Sequence, residues 1–146
     1  MTLEDLSKIG RLKPHSPARA EIQRLLAAAD ASLKDAQLTE NSASSRFDMA
    51  YKALTQAALV ALMANGYRPS TSEPGHHQTI LQTLPKTVGL AAERVKLFDV
   101  FRRARNAVDY EGEPVEDSKL DECISAARDL LAEVRASLKA NRADLA

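Results

Sequence analysis

The sequence predicts an all-α protein, an up-and-down bundle of four long helices and one short helix. Hydrophobic residues make up 45% of the 146 residues, with Ala and Leu prominent, while glycines and aromatic residues are scarce. The apolar residues recur at helical spacing in four long segments, and links that contain glycine or proline separate several of these segments. Strand signals are absent, so we expect short links and a bundle.

The chain divides into three parts. Residues 1–15 form an N-terminal extension, residues 16–140 form the helical-bundle domain, and residues 141–146 form a tail that we expect to fray. The extension carries a short amphipathic segment with leucines at Leu3, Leu6 and Leu12. This segment is too short to be a stable helix alone, so we expect it to lie against the bundle or to fray.

The first two long helices have recognisable ends. Ser16 can cap a helix and Pro17 suits its first position, and the helical spacing continues to about residue 37. The second helix is expected over about residues 45–65, where Gly66 provides a left-handed stop. Its apolar residues cover more than one face, which predicts a central position in the bundle.

Three more helices follow a loop over residues 67–75. A short helix is expected over about 76–84, ending before Pro85, because proline disfavours a helical residue in front of it. The fourth helix covers about 90–108. A last helix starts near Asp117.

The charge composition bears on whether the protein binds nucleic acids or membranes. Lys+Arg and Asp+Glu are equal at 20 each, so no net charge draws the chain to nucleic acid or to a membrane. Residues 41–110 nevertheless hold nine basic and five acidic residues, and residues 111–146 hold five and nine. This distribution indicates either a modest positive field around the middle helices or an ordinary mixed surface.

The sequence predicts a cytoplasmic protein with no membrane contact. The N-terminus has no signal-peptide pattern, and no stretch of 18 apolar residues occurs. Cys123 is the single cysteine, which excludes a disulfide framework and a thiolate metal cluster. Its position on an apolar helical face predicts a small buried hydrophobic side chain.

The segment from Phe98 to Tyr110 concentrates the side chains that could carry chemistry. Arg105 falls on the apolar seam of the fourth helix, where an unpaired charge is costly, and Asp109 follows one turn later. Two interpretations stay open for Arg105. Either it pairs with Asp109 and packs the end of the bundle, or it faces a cleft and binds an anion such as a phosphate. Arg102 and Asn106 flank this face, Arg103 is expected in solvent, and Tyr110 lies beside the arginines.

His76 and His77 open the short helix. They can cap, pack or be solvated, and a catalytic role for His77 needs a substrate within reach. Metal binding needs further ligands, and only Glu73 is near in sequence, so we expect no metal site. No sequence motif for a phosphate-binding glycine loop, a nucleophile elbow or a zinc-binding helix occurs, and we expect no cofactor.

Three segments together resemble a known family. They are the alanine-rich helix from Tyr51 to Tyr67, the run Gly75-His76-His77 before an apolar helix, and Arg102 to Tyr110. This pattern resembles the HEPN superfamily, small helical bundles of prokaryotic toxin–antitoxin and defence systems that also occur beside nucleotidyltransferases. The resemblance covers about residues 17–138.

The resemblance implies alternative functions. Many members are metal-independent ribonucleases that use Arg-x(4–6)-His, often beginning Arg-Asn, at a dimer interface. Arg105 and Asn106 match that start, but Asp109 and Tyr110 fill the place of the histidine, as in a branch with an Arg-…-Asp-Tyr ending. We therefore expect a non-catalytic module that binds a nucleotide, RNA or a nucleotidyltransferase-type partner, with ligand contacts from the residues that follow. These are Arg102, Arg105, Asn106, Asp109, Tyr110 and His77.

Two alternatives remain. One is an active ribonuclease toxin that uses Arg105 with Asp109, Tyr110 or His77, and the other is a structural helical adaptor. The wide apolar surface of the second helix, together with the resemblance, also predicts a homodimer.

Overall fold

The computed structural model describes residues 1–71 and 75–146, and it confirms the all-α bundle. In chain order its elements are α1 (Leu3–Lys8), β1 (Leu12–Pro14), α2 (Arg19–Ala36), α3 (Ala43–Ala64), β2 (Tyr67–Pro69), α4 (His76–Gln82), α5 (Leu84–Thr87), α6 (Ala92–Glu111) and α7 (Asp117–Asn141). The long helices α2, α3, α6 and α7 correspond to the four that the periodicity predicts.

Consecutive long helices run antiparallel, as in an up-and-down bundle. Three contacts indicate these directions, because each joins the first half of one helix to the second half of the other. They are Arg46 Nε to Ala36 O (2.9 Å), Arg105 Nε to Asp48 Oδ1 (3.8 Å) and Arg94 Nη1 to Glu133 Oε1 (2.6 Å). The second contact brings the end of α6 to the start of α3, which is where the arginine-rich segment lies.

The central element is α3, as its apolar pattern predicts. Twelve of its 22 residues are buried, and six of these are alanines that allow neighbouring helices to approach closely. The helix begins slightly earlier than expected. Ser42 is its N-cap and accepts a hydrogen bond from Ser45 N at 3.2 Å.

A short pair of strands departs from the sequence expectation. β1 and β2 pair antiparallel, with Leu12 opposite Pro69 and Pro14 opposite Tyr67. Three residues are too few for alternation to be recognised, and a proline ends each strand, which argues against strands from sequence. The side chain of Leu12 is buried, so the N-terminal extension is attached to the bundle.

The strand pair also explains why α2 starts later than expected. His15 N donates to Gly66 O at 2.8 Å, which continues the pairing beyond β1 and keeps the chain extended. The helix therefore begins at Arg19 with Ala18 as its N-cap, and the predicted cap by Ser16 is wrong. Glu21 in the first turn lies 2.6 Å from His15 Nε2.

Two further expectations are corrected at helix ends. The helix predicted to end before Pro85 is followed at once by α5, because a proline is tolerated in the first turn of a new helix. The tail does not fray as expected. Leu145 is buried and its carbonyl accepts from Gln23 Nε2 at 2.9 Å, while Arg142 Nη1 donates to Ala64 O at 2.6 Å.

Two further observations concern the single cysteine and the length of the helices. Cys123 is fully buried, as predicted, and burial raises the pKa of its thiol to about 12. Within residues 1–71 and 75–146, no helix is long and apolar enough to cross a lipid bilayer.

Candidate functional site

A cavity of about 290 Å³ opens between the start of α4 and the C-terminal half of α6. We call it the arginine cleft, and its lining is Gly75, His76, His77, Gln78, Arg102, Arg105 and Asn106. Gly75 adopts a left-handed conformation (φ 79°) directly before α4, which suits a residue without a side chain. On α6, positions 105 and 106 both lie about one turn after position 102, so these three residues line the same side of the helix.

Arg105 is half-buried at the edge of the cleft. Its Nε lies 3.4 Å from Asp109 Oδ2 and 3.8 Å from Asp48 Oδ1, so the predicted pair with Asp109 is present. Its Cζ lies 5.7 Å from the centre of the Tyr51 ring. Among the described residues, however, the guanidinium forms no hydrogen bond. Two carboxylates and the aromatic ring therefore orient the guanidinium without a direct hydrogen bond.

The other two arginines are held by Asp99. Arg102 Nε donates to Asp99 Oδ1 at 2.8 Å, and Arg103 Nη2 lies 2.9 Å from Asp99 Oδ2. Arg103 is exposed, as predicted. Arg102 also lines the cleft, where it adds positive charge that its pair with Asp99 partly neutralises.

Tyr51 lies below the cleft and within the core. Its side chain is buried, and its ring centre is 6.4 Å from that of His77. In the part of the chain that the structure describes, the Tyr51 hydroxyl has no hydrogen-bond partner. Burial raises the pKa of Tyr51 to about 12, so the hydroxyl keeps its proton and can act as a donor.

The packing of α4 against α6 places the two histidines beside the arginines. Their rings pack edge to face with centres 4.5 Å apart, and both line the cleft. Burial lowers the pKa of His77, and the neighbouring His76 and Arg105 lower it further. The His77 imidazole is therefore neutral at pH 7 and can accept a proton. Sequence alone did not place these rings beside Arg105.

Asp48 is the site residue that the sequence analysis missed. Its Oδ1 atom is buried and has no hydrogen bond to any described residue. Burial raises the pKa of this carboxyl group, as does the nearby Asp109, whereas Arg105 opposes the shift. The available signal was its spacing, because Asp48 lies one helical turn before Tyr51 on the second helix.

Two of the predicted ligand residues lie outside the lining of the cleft. Tyr110 is 83% exposed, and Asp109 contacts Arg105 without lining the cleft.

Across residues 1–71 and 75–146, no group of three or more His, Cys, Asp or Glu side chains is arranged to hold a metal ion. Glu73, which the sequence places near the histidines, lies outside the described residues.

Comparison with known proteins gives no assignment. No protein-family model matches the chain, and no curated protein matches it.

Proposed function

We propose that this protein is a HEPN-like, non-catalytic module that binds a phosphate group of a nucleotide or of RNA in the arginine cleft. The resemblance of the sequence to that superfamily motivates the proposal, and the chemistry of the cleft supports it.

The observation that carries the proposal is a set of unused polar groups around one cavity. The side chains of Arg105, Asn106 and His77 line the cleft and make no hydrogen bond to any described residue. A phosphate group brings strong acceptor oxygens, and the planar fork of an arginine matches two of them. A ligand of this kind satisfies donors that the fold leaves free.

The charges around the cleft indicate a single phosphate group rather than a long polyanion. Asp48, Asp99 and Asp109 lie within 4 Å of arginine side chains of α6 and offset their charge. Binding therefore depends on hydrogen-bond geometry more than on long-range attraction, and we expect a weak dependence on salt.

Titration with nucleoside monophosphates and with short single-stranded RNA tests the proposal. Arg105→Gln should weaken binding by about tenfold or more, because truncating a charged hydrogen-bond donor costs about 1.5–3 kcal/mol. The melting temperature should change little. Arg135→Gln is the matched control, since Arg135 has similar exposure but pairs with Asp30 away from the cleft. Equal affinity of the two variants would contradict the proposal, and a large loss of stability for Arg105→Gln without a binding defect would favour the structural adaptor.

One observation favours a second candidate, a metal-independent ribonuclease. His77 brings a neutral imidazole to the cleft of Arg105, although no histidine follows Arg105 in the sequence. A neutral imidazole can act as a general base on a 2′-hydroxyl, and the arginine can stabilise the phosphate charge. RNA cleavage in the presence of a chelator, abolished by His77→Gln, would support this candidate. Intact RNA after prolonged incubation with the wild-type protein would rule it out.

The partners implied by the resemblance extend the proposal. A homodimer and a nucleotidyltransferase-type partner, within a toxin–antitoxin or defence system, are consistent with the exposed side chains of Val100 and Tyr110 on α6. Sedimentation of the purified protein at micromolar concentration tests the dimer. A monomer would contradict it, and co-purification with a neighbouring nucleotidyltransferase would identify the partner.

A further inference from the structure

A groove runs between α6 and α7, on a different face of α6 from the arginine cleft. It consists of two cavities of about 400 and 310 Å³ that follow each other along both helices. Its floor is apolar and is formed by Leu97, Phe98, Ala104, Val108, Val115 and Ala126. From Arg94 to Glu111, the α6 side of the groove is about 25 Å long, at about 1.5 Å per residue.

The rim of this groove is acidic. Six carboxylates line it: Glu111, Glu113, Glu116, Asp121, Glu122 and Asp129. Two cations face them, and one of these is already neutralised. Arg94 donates to both carboxylate oxygens of Glu133, at 2.6 and 2.8 Å. Among the described residues that line the groove, Lys119 is therefore the cation that has no carboxylate partner of this kind. The groove therefore combines an apolar floor with a strong excess of negative charge.

We propose that this groove binds a basic amphipathic helix from a partner protein. Two antiparallel helices with an apolar floor between them accept a third helix, which inserts residues at positions i, i+3, i+4 and i+7. The acidic rim selects lysines and arginines on the flanks of that helix. A stretch of about 17 residues fills the length of the groove.

Charge complementarity argues against a second copy of this chain as the occupant. A two-fold dimer through this face would place the same six carboxylates against each other, because a two-fold interface joins identical surfaces. Like charges in contact across an interface oppose association. The groove also differs in sign from the arginine cleft, so α6 separates an anion-binding side from a cation-binding side.

The probe is a fluorescent 18-residue helical peptide with leucine at heptad positions a, d and e and lysine elsewhere. We expect micromolar binding to the full chain, and we expect a scrambled peptide of the same composition to bind at least about tenfold more weakly. The double variant Glu122→Lys, Asp129→Lys should weaken binding by about tenfold or more. The matched control Asp35→Lys, Glu40→Lys reverses two exposed carboxylates outside the groove and should bind like the wild type. Arg105→Gln should also leave peptide binding intact, which separates this proposal from the function of the arginine cleft.

Three results would overturn the proposal. They are no binding at the highest soluble peptide concentration, equal binding to the groove and control variants, and equal binding of the scrambled peptide. A dimer that the groove variant converts to a monomer in sedimentation would also overturn it, since the occupant would then be a second copy. Circular dichroism of each variant confirms that the charge reversals leave the bundle folded.

Discussion

The guanidinium carbon of Arg105 lies 5.7 Å from the centre of the Tyr51 ring, within the range of a cation–π contact. Through this contact the charged end of α6 rests on a buried side chain of the central helix. The same tyrosine carries a hydroxyl with no described hydrogen-bond partner and lies beside the His77 ring. Tyr51 therefore connects the core to the arginine cleft.

Tyr51→Phe should leave the protein as stable as the wild type or stabilise it by up to about 1 kcal/mol. The ring and its contact with Arg105 are kept, while a buried hydroxyl without a partner, which costs about 1–3 kcal/mol, is removed. Urea unfolding measures the free energy.

The companion variant Tyr51→Leu separates the ring from the hydroxyl. It removes the aromatic surface, so it should destabilise the protein and loosen Arg105. A clear loss of stability for Tyr51→Phe would mean that the hydroxyl has a partner in solution, such as a bound water, and would contradict the first expectation.

Asp48→Asn should strengthen the binding of inorganic phosphate or sulfate. Its carboxylate lies 3.8 Å from Arg105 Nε and competes with an external anion, and the neutral amide removes that competition. Because the pair is partly exposed, the stability should change by less than about 1 kcal/mol. Affinity is measured by isothermal titration calorimetry.

Asp30→Asn is the control for this charge change. Asp30 pairs with Arg135 between α2 and α7, where Arg135 Nη1 lies 2.8 Å from Asp30 Oδ1. Its neutralisation changes the net charge by the same amount without touching Arg105. Equal gains in affinity for the two variants would show that net charge, rather than local competition, governs binding.

Stability should fall as the pH drops below neutrality, in part because of His77. Burial places the folded-state pKa of His77 below the unfolded value of 6.5, so the unfolded chain binds the proton first. The contribution of neutral His77 to the free energy of unfolding is fully present above about pH 6.5, and it is lost as the pH falls through the pKa of His77 in the folded protein. Urea unfolding between about pH 7.5 and pH 5 should record this slope.

His77→Gln should reduce the pH dependence, and the difference between the two profiles isolates this residue from the other histidines. Titration of the His77 ring signals by NMR gives the folded pKa directly. A value above 6.5 would reverse the sign of the slope and contradict the expectation.

Helical periodicity predicted the four long helices because apolar residues recur at helical spacing in each of them, as the buried residues of α7 illustrate. It also placed Arg105 next to Asp109, since residues four apart on a helix are neighbours. Both features depend on residues close in sequence. Such spacing is readable without the fold.

The missed features depend on residues far apart in sequence. Asp48 and His77 approach Arg105 only because α3, α4 and α6 pack together, and no local pattern records that packing. The late start of α2 has a similar origin. Pairing of β1 with β2 overrides the cap that Ser16 could provide.

The attachment of α6 to the bundle should depend strongly on Phe101. Only two of the 20 residues of α6 are buried, Phe98 and Phe101, and Phe101 packs edge to face on Phe47 of α3 with ring centres 6.3 Å apart. Phe101→Ala should therefore cost about 3–5 kcal/mol in urea unfolding and should speed amide exchange in α6 more than in α7.

The control Leu130→Ala creates a comparable cavity in α7, where Leu130 is fully buried. It should cost about 2–5 kcal/mol while leaving phosphate binding by the folded protein unchanged. Phe101→Ala should weaken that binding even where the protein remains folded, because α6 carries Arg102, Arg105 and Asn106. Equal binding by the two variants would show that the geometry of the arginine cleft does not depend on the packing of Phe101.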